Sequence, residues 1–154
     1  MRKGLDDFKS FIKYVKEFLG KNVFEFEYYE AVDSVREKIF RKIGEILSLN
    51  KDILFAYLYG SFLGRRYFRD IDTAIWLRNI DKAFEYTIDF SVKVSKILGF
   101  PVDIQVLNSA PLSFKYHVFI NGRLIFSRNE ELRLMIIDEV IREYIDFNVL
   151  LKHC

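Results

Sequence analysis

The clearest signal along the chain is the alternation of helix-spaced and strand-spaced apolar positions. Leu5, Phe8, Ile12, Val15 and Leu19 recur at steps of three and four and predict a helix that Gly20 stops. Residues 23–29 alternate Phe24, Phe26 and Tyr28 with Glu25 and Glu27, a pattern that fits either a short strand or the approach to a helix. Val32, Val35, Ile39, Ile43 and Ile46 then mark one face of a second helix. Residues 53–59 carry no polar alternation and read as a strand buried on both faces. A second strand is expected over 70–77. A helix follows over 81–98 with Phe84, Ile88, Ser91, Val94 and Leu98 inward, ended by Gly99 and Pro101. A third strand spans 102–107, residues 111–119 are mixed, and Asn121-Gly122 signals a turn before a fourth strand over 123–126. Ser127 and Glu130 stand at capping-box spacing, with Asn129 a rival N-cap, at the start of a long tail helix whose stripe is Leu132, Ile136, Val140, Tyr144, Phe147 and Leu151. No linker or repeat divides the chain. The expectation is one compact α+β domain, a small mixed sheet packed with helices, with a helical extension over 1–50 and the main unit over 51–154.

Composition narrows the chemistry. Lys and Arg total 24 against 22 Asp and Glu, a net charge of +2, which does not favour broad nucleic-acid binding. The one cysteine, Cys154, rules out an internal disulfide and a multi-cysteine zinc site, and His117 and His153 lack metal-ligand spacing. Acids near the start and the absence of a long apolar run predict no leader and no membrane span, hence a cytoplasmic protein.

The acids inside the strands change this bland picture. Asp70 and Asp72 flank Ile71 at the start of an apolar strand and face the same side. Two anions so placed repel unless a cation joins them, and Mg²⁺ favours carboxylates combined with substrate phosphates. Asp103 repeats the pattern in the third strand, sharing a face with Gln105. Three carboxylates could hold two divalent ions roughly 3.5–4 Å apart, the arrangement used in phosphoryl transfer. Upstream, Gly60-Ser61 closes the buried strand and offers backbone and hydroxyl to an anion. Arg65, Arg66 and Arg69 stand between this turn and Asp70, where their charge could neutralise a triphosphate. Taken singly, each feature reads as an ordinary turn, strand end or solvated loop; their order is what is informative.

With these residues in that order, the stretch from Tyr59-Gly60-Ser61 to Asp70-Ile71-Asp72-Thr73-Ala74-Ile75 resembles the minimal nucleotidyltransferase (MNT) family of the DNA polymerase beta superfamily. The resemblance continues through Pro101-Val102-Asp103, Leu107-Asn108, Ala110-Pro111-Leu112 and Asn121-Gly122 to residues 142–146. It implies that Gly60 and Ser61 hold nucleotide phosphates and that Asp70, Asp72 and Asp103 ligate two Mg²⁺ ions, with Mn²⁺ as a substitute. Asp103 would also help deprotonate the acceptor hydroxyl. The implied reaction moves a nucleoside monophosphate, AMP from ATP above all, onto a hydroxyl. Members of this size pair with HEPN-domain toxins and modify a tyrosine there, so a HEPN partner and an antitoxin role are expected; homo-oligomerisation stays open. The spacer, residues 62–69, is eight residues, about two shorter than the usual form, and Arg69 replaces a frequent Ser. The competing readings are a non-catalytic antitoxin that neutralises its partner by contact and, more remotely, a glycosyltransferase using the Asp-x-Asp pair. His117 and Cys154 receive no role.

Overall fold

The computed structural model describes residues 28–154 together with Ser10, Phe11 and Lys13. The helix predicted over 5–19 otherwise lies outside the described residues, as do residues 23–27. The elements are β1 (Tyr29–Glu30), α1 (Asp33–Ser48), β2 (Ile53–Tyr59), α2 (Ser61–Gly64), β3 (Tyr67–Phe68) and β4 (Ile71–Leu77). A helical stretch follows, with a 3-10 turn Ile80–Lys82, α3 (Ala83–Glu85), a π-turn Tyr86–Phe90 and α4 (Ser91–Leu98). β5 (Val102–Val106), α5 (Leu112–Asn121), β6 (Arg123–Ser127) and α6 (Glu130–Lys152) complete the chain. This is the mixed α+β architecture expected from the sequence.

The main sheet has the order β5-β4-β2-β6. β2 runs antiparallel to β4 and β6, and β4 runs parallel to β5. Strand alternation divides it into two faces. One face presents Ala56, Leu58, Ile71, Ile75, Leu77, Val102, Ile104 and Val106, closed by Val35, Ile39, Ile43 and Leu47 of α1 and by Val94 and Leu98 of α4. Phe11 joins this core and lies under Lys38 Nζ, 3.7 Å from the ring centre. The other face presents Phe55, Tyr57 and Ala74, covered by Val118 of α5 and by Ile136 and Val140 of α6. α1, though within the segment read as an extension, supplies fully buried Ile39, Ile43 and Leu47 to the first core.

The structure corrects one local expectation and completes another. Phe84 and Ile88 are exposed, and Tyr86 is buried instead. The π-turn at Tyr86–Phe90 inserts one residue and shifts the inward phase from 84 and 88 to Ala83, Tyr86 and Phe90. Residues 112–121 form a full helix, α5. Asn121-Gly122 is therefore the exit from that helix into β6, with Gly122 at φ −75°. Glycine is required there because a Cβ would press into the Val118 carbonyl and sit 3.0 Å from the Leu58 carbonyl oxygen. Asn129 caps α6, its Oδ1 accepting from Leu132 N at 3.0 Å. Tyr144 stacks on Tyr116, centroids 3.8 Å apart, while Phe147 and Leu151 of the tail stripe are exposed.

Candidate active site

The strand directions bring the end of β2 and the starts of β4 and β5 to one end of the sheet. There Tyr59 pairs with Asp72, and Asp72 pairs with Asp103. Residues paired across neighbouring strands point the same way, about 5 Å apart. Tyr59, Asp72 and Asp103 therefore form one row on the face that α5 and α6 cover only in part. Asp70, two residues before Asp72, adds a third carboxylate at the strand entrance.

Gly60 leaves the row with φ +80°, a left-handed conformation that glycine tolerates. A Cβ on Gly60 would overlap the Asp72 carboxylate. The positive φ therefore calls for glycine, and a side chain there would also displace the carboxylate. Ser61 opens α2, and Phe62 drops into the closed core, edge-on to Phe68 with centroids 4.9 Å apart. This anchors the turn from below.

The carboxylates are electrostatically uneven. Burial, then the charges of Asp70 and Asp103, push the Asp72 carboxyl up to about 6, and only Arg69 pulls the other way. Burial, then Asp72, Asp103 and Asp70, also push the Tyr59 phenol well above the ordinary tyrosine range, so its hydroxyl stays protonated. Phe114 of α5 packs edge-on against Tyr59 at 5.3 Å and walls the row on that side.

Asp70 is met by Arg69, whose Nη2 lies 3.3 Å from its Oδ2. Asp103 accepts from Gln105 Nε2 at 3.0 Å. Each outer carboxylate thus has a partner of its own, and among the described residues no three His, Cys, Asp or Glu side chains form a ready-made metal cage. The donor set is nonetheless suited to Mg²⁺, a hard ion that takes one or two carboxylates and completes its shell with water and substrate phosphates. Added positive charge would relieve the repulsion that burdens Asp72.

The three arginines diverge. Arg65 is exposed and its carbonyl accepts from Arg36 Nη2 at 3.0 Å. Arg66 pairs through Nε with Glu30 at 3.0 Å. Arg69 stays beside Asp70. Arg36 and Tyr59 have local roles that sequence reasoning did not assign. Arg36 looks like one more charge on an amphipathic helix, whereas Tyr59 could have been found from its place directly before Gly60. His117 and Cys154 are exposed.

Comparison with known proteins agrees with this geometry. No curated protein matches the sequence. A chain of the complex between tri-AMPylated Shewanella oneidensis HEPN toxin and MNT antitoxin superposes with a TM-score of 0.58 at 19% identity, covering 77% of this chain and 93% of that one. A chain of the MntA–HepT toxin–antitoxin structure gives 0.57 at 20%, covering 76% and 93%. A chain of a toxin–antitoxin structure with AMP-PNP gives 0.60 at 21%, covering 74% and 93%. These likenesses establish a shared fold. The sequence profile described as "Polymerase beta, Nucleotidyltransferase" matches residues 41–131, a segment that contains Gly60-Ser61 and all three aspartates. With more than half of its length in that match and its carboxylates gathered at one sheet end, the chain belongs to the polymerase beta nucleotidyltransferase family.

Proposed function

We propose that this nucleotidyltransferase transfers AMP from Mg·ATP to a tyrosine hydroxyl on a HEPN-type partner, and so acts as an antitoxin in the cytoplasm. The observation that carries the reading is the register Asp72↔Asp103 with Gly60 packed on the Asp72 carboxylate. This proximity of the Gly60-Ser61 turn to the acidic cluster supports a site for a metal-bound phosphate. The similar structures include a complex of an MNT antitoxin with a HEPN toxin and a toxin–antitoxin structure with AMP-PNP, which supports the choice of partner and nucleotide.

Asp70, Asp72 and Asp103 would hold the Mg²⁺ ions, with Mn²⁺ as a substitute. The ions supply positive charge that balances the charge developing on the transferred phosphoryl group. The chain's own residues do the rest. Ser61 and the turn after Gly60 bind and orient the phosphates, with Arg65 and Arg69 at the rim. Asp103 takes the proton of the acceptor hydroxyl. The acceptor oxygen then forms its bond to the α-phosphorus as the bond to pyrophosphate breaks. Tyr59, kept protonated, and Phe114 shape the wall beside the reacting groups.

Incubation of the chain with labelled ATP, Mg²⁺ and a HEPN partner tests the proposal. Label should appear on the partner as a tyrosine adduct and vanish with the Asp70→Asn/Asp72→Asn variant. Undiminished labelling by that variant contradicts the site. Silencing of the toxin by the same variant at equal expression assigns the antitoxin role to contact alone.

A further inference from the structure

The spacer between Ser61 and Asp70 is too short to organise itself. It holds only eight residues, and α2 is a single turn, whose last carbonyls find no partner inside the helix. The missing bonds come from a neighbouring helix, distant in sequence. Arg36, on α1, donates from Nε to the Phe62 carbonyl at 2.8 Å and from Nη2 to the Arg65 carbonyl at 3.0 Å. Its Nη1 lies 2.8 Å from Asp33, which fixes the guanidinium in orientation. The side chain is 16% exposed, well withdrawn from solvent for an arginine.

Adjacent residues fasten the rest of the spacer. Ala31 N donates to the Arg66 carbonyl at 2.6 Å, Glu30 holds the Arg66 guanidinium, and β1 pairs with β3 through Tyr29↔Phe68 and Glu30↔Tyr67. Residues 29–36 thus hold the segment that links the Gly60-Ser61 turn to Asp70 at Phe62 and over 65–68.

We propose that Arg36 is a positioning residue for the nucleotide: by bridging the Phe62 and Arg65 carbonyls it fixes how Ser61 and the turn around it are presented to the triphosphate. Three of its five N–H donors are engaged on protein oxygens, two of them carbonyls of the turn segment, so its effect is exerted through the turn. Only arginine's planar fork spans both carbonyls; lysine offers one compact ammonium. The inference rests on the nucleotidyl-transfer reading above.

The test measures the affinity of the full chain for Mg²⁺ with α,β-methylene-ATP by calorimetry, together with KM and kcat for transfer from ATP. Arg36→Gln, Arg36→Lys and a control, Glu37→Gln, are compared at a temperature where circular dichroism shows each folded. Absence of nucleotide binding by the unmodified chain overturns the underlying reading before any variant is considered. Given binding, Arg36→Gln should weaken it and raise KM by about 10–100-fold, as loss of a supporting partner does in other sites. Arg36→Lys should fall between, kcat at saturating ATP should stay within about threefold, and Glu37→Gln should match the unmodified chain. Binding by Arg36→Gln within about twofold of the unmodified chain overturns the inference. So does a loss of kcat with KM unchanged in both Arg36 variants, which assigns Arg36 to general stability. If Arg36→Gln does not fold, Arg36→Lys decides by the same criteria.

Discussion

The two faces of the main sheet are made by the same strands and do opposite things. The closed face is sealed by α1 and α4, and its strand residues Leu58, Ile71, Ile75 and Ile104 are fully buried and apolar. The other face is apolar only at its covered end, where Phe55, Tyr57 and Ala74 meet α5 and α6; its far end carries Tyr59, Asp72 and Asp103. One residue of register separates core from chemistry, since Ile71 points into the closed core while Asp72 points out of it. The closed face stabilises the fold by removing apolar surface from water. The open end costs stability, because it gathers like charges in a partly desolvated place. That uneven distribution, stability on one side and electrostatic stress on the other, is the pattern expected of a functional site.

Substitutions on the two faces should separate these contributions. The largest effect on activity belongs to the open end: Asp72→Asn should lower nucleotidyl transfer by on the order of a hundredfold or more, measured as label incorporated per minute. The largest effect on stability belongs to the closed face. Ile39→Ala should cost about 2–5 kcal/mol in urea unfolding, because the cavity lies where α1 meets the sheet. Gly60→Ala joins the two faces: it forces a side chain into φ +80° and against Asp72, and should cost about 1–3 kcal/mol while displacing the carboxylate.

Asp72 sharpens the contrast through pH. With its carboxyl raised to about 6 from 3.8, the native state holds that proton more tightly than the unfolded chain does. Metal-free protein should therefore lose stability as pH rises from 3.8 to about 6, with the whole cost present above that range. Asp72→Asn should flatten this slope and stabilise the metal-free protein at pH 7 by the order of 1 kcal/mol, as relief of a functional site does. Removal of divalent ions with a chelator should reduce the melting temperature of the unmodified chain more than that of Asp72→Asn.

The smallest effect is expected at Thr73, next to Asp72 but on the closed face. Its hydroxyl is buried with no hydrogen-bond partner among the described residues, so Thr73→Val should change stability by no more than about 0.5 kcal/mol, in the stabilising direction, with activity unchanged.

Much of this contrast was legible in the sequence because strands alternate with period two. The apolar run at 53–59 and the acids at 70, 72 and 103 located the sheet and its acidic end before any fold was known. The phase of the helix around 84–88 was hidden, because a π-turn inserts a residue that no periodicity announces. Asn121-Gly122 marks the break before β6, but its glycine serves close backbone approach and not a positive φ. The fates of the arginines depend on tertiary neighbours. Arg66 meets Glu30, distant in sequence, and Arg36 reaches the turn from another element, so neither pairing leaves a local trace.

The most direct test of the account is calorimetric titration of the unmodified chain and of Asp72→Asn with α,β-methylene-ATP, each with and without Mg²⁺. The account predicts Mg²⁺-dependent binding by the unmodified chain that is lost in Asp72→Asn. Nucleotide binding of equal strength in both proteins, or indifferent to Mg²⁺, would contradict the placement of the site at the open end of the sheet.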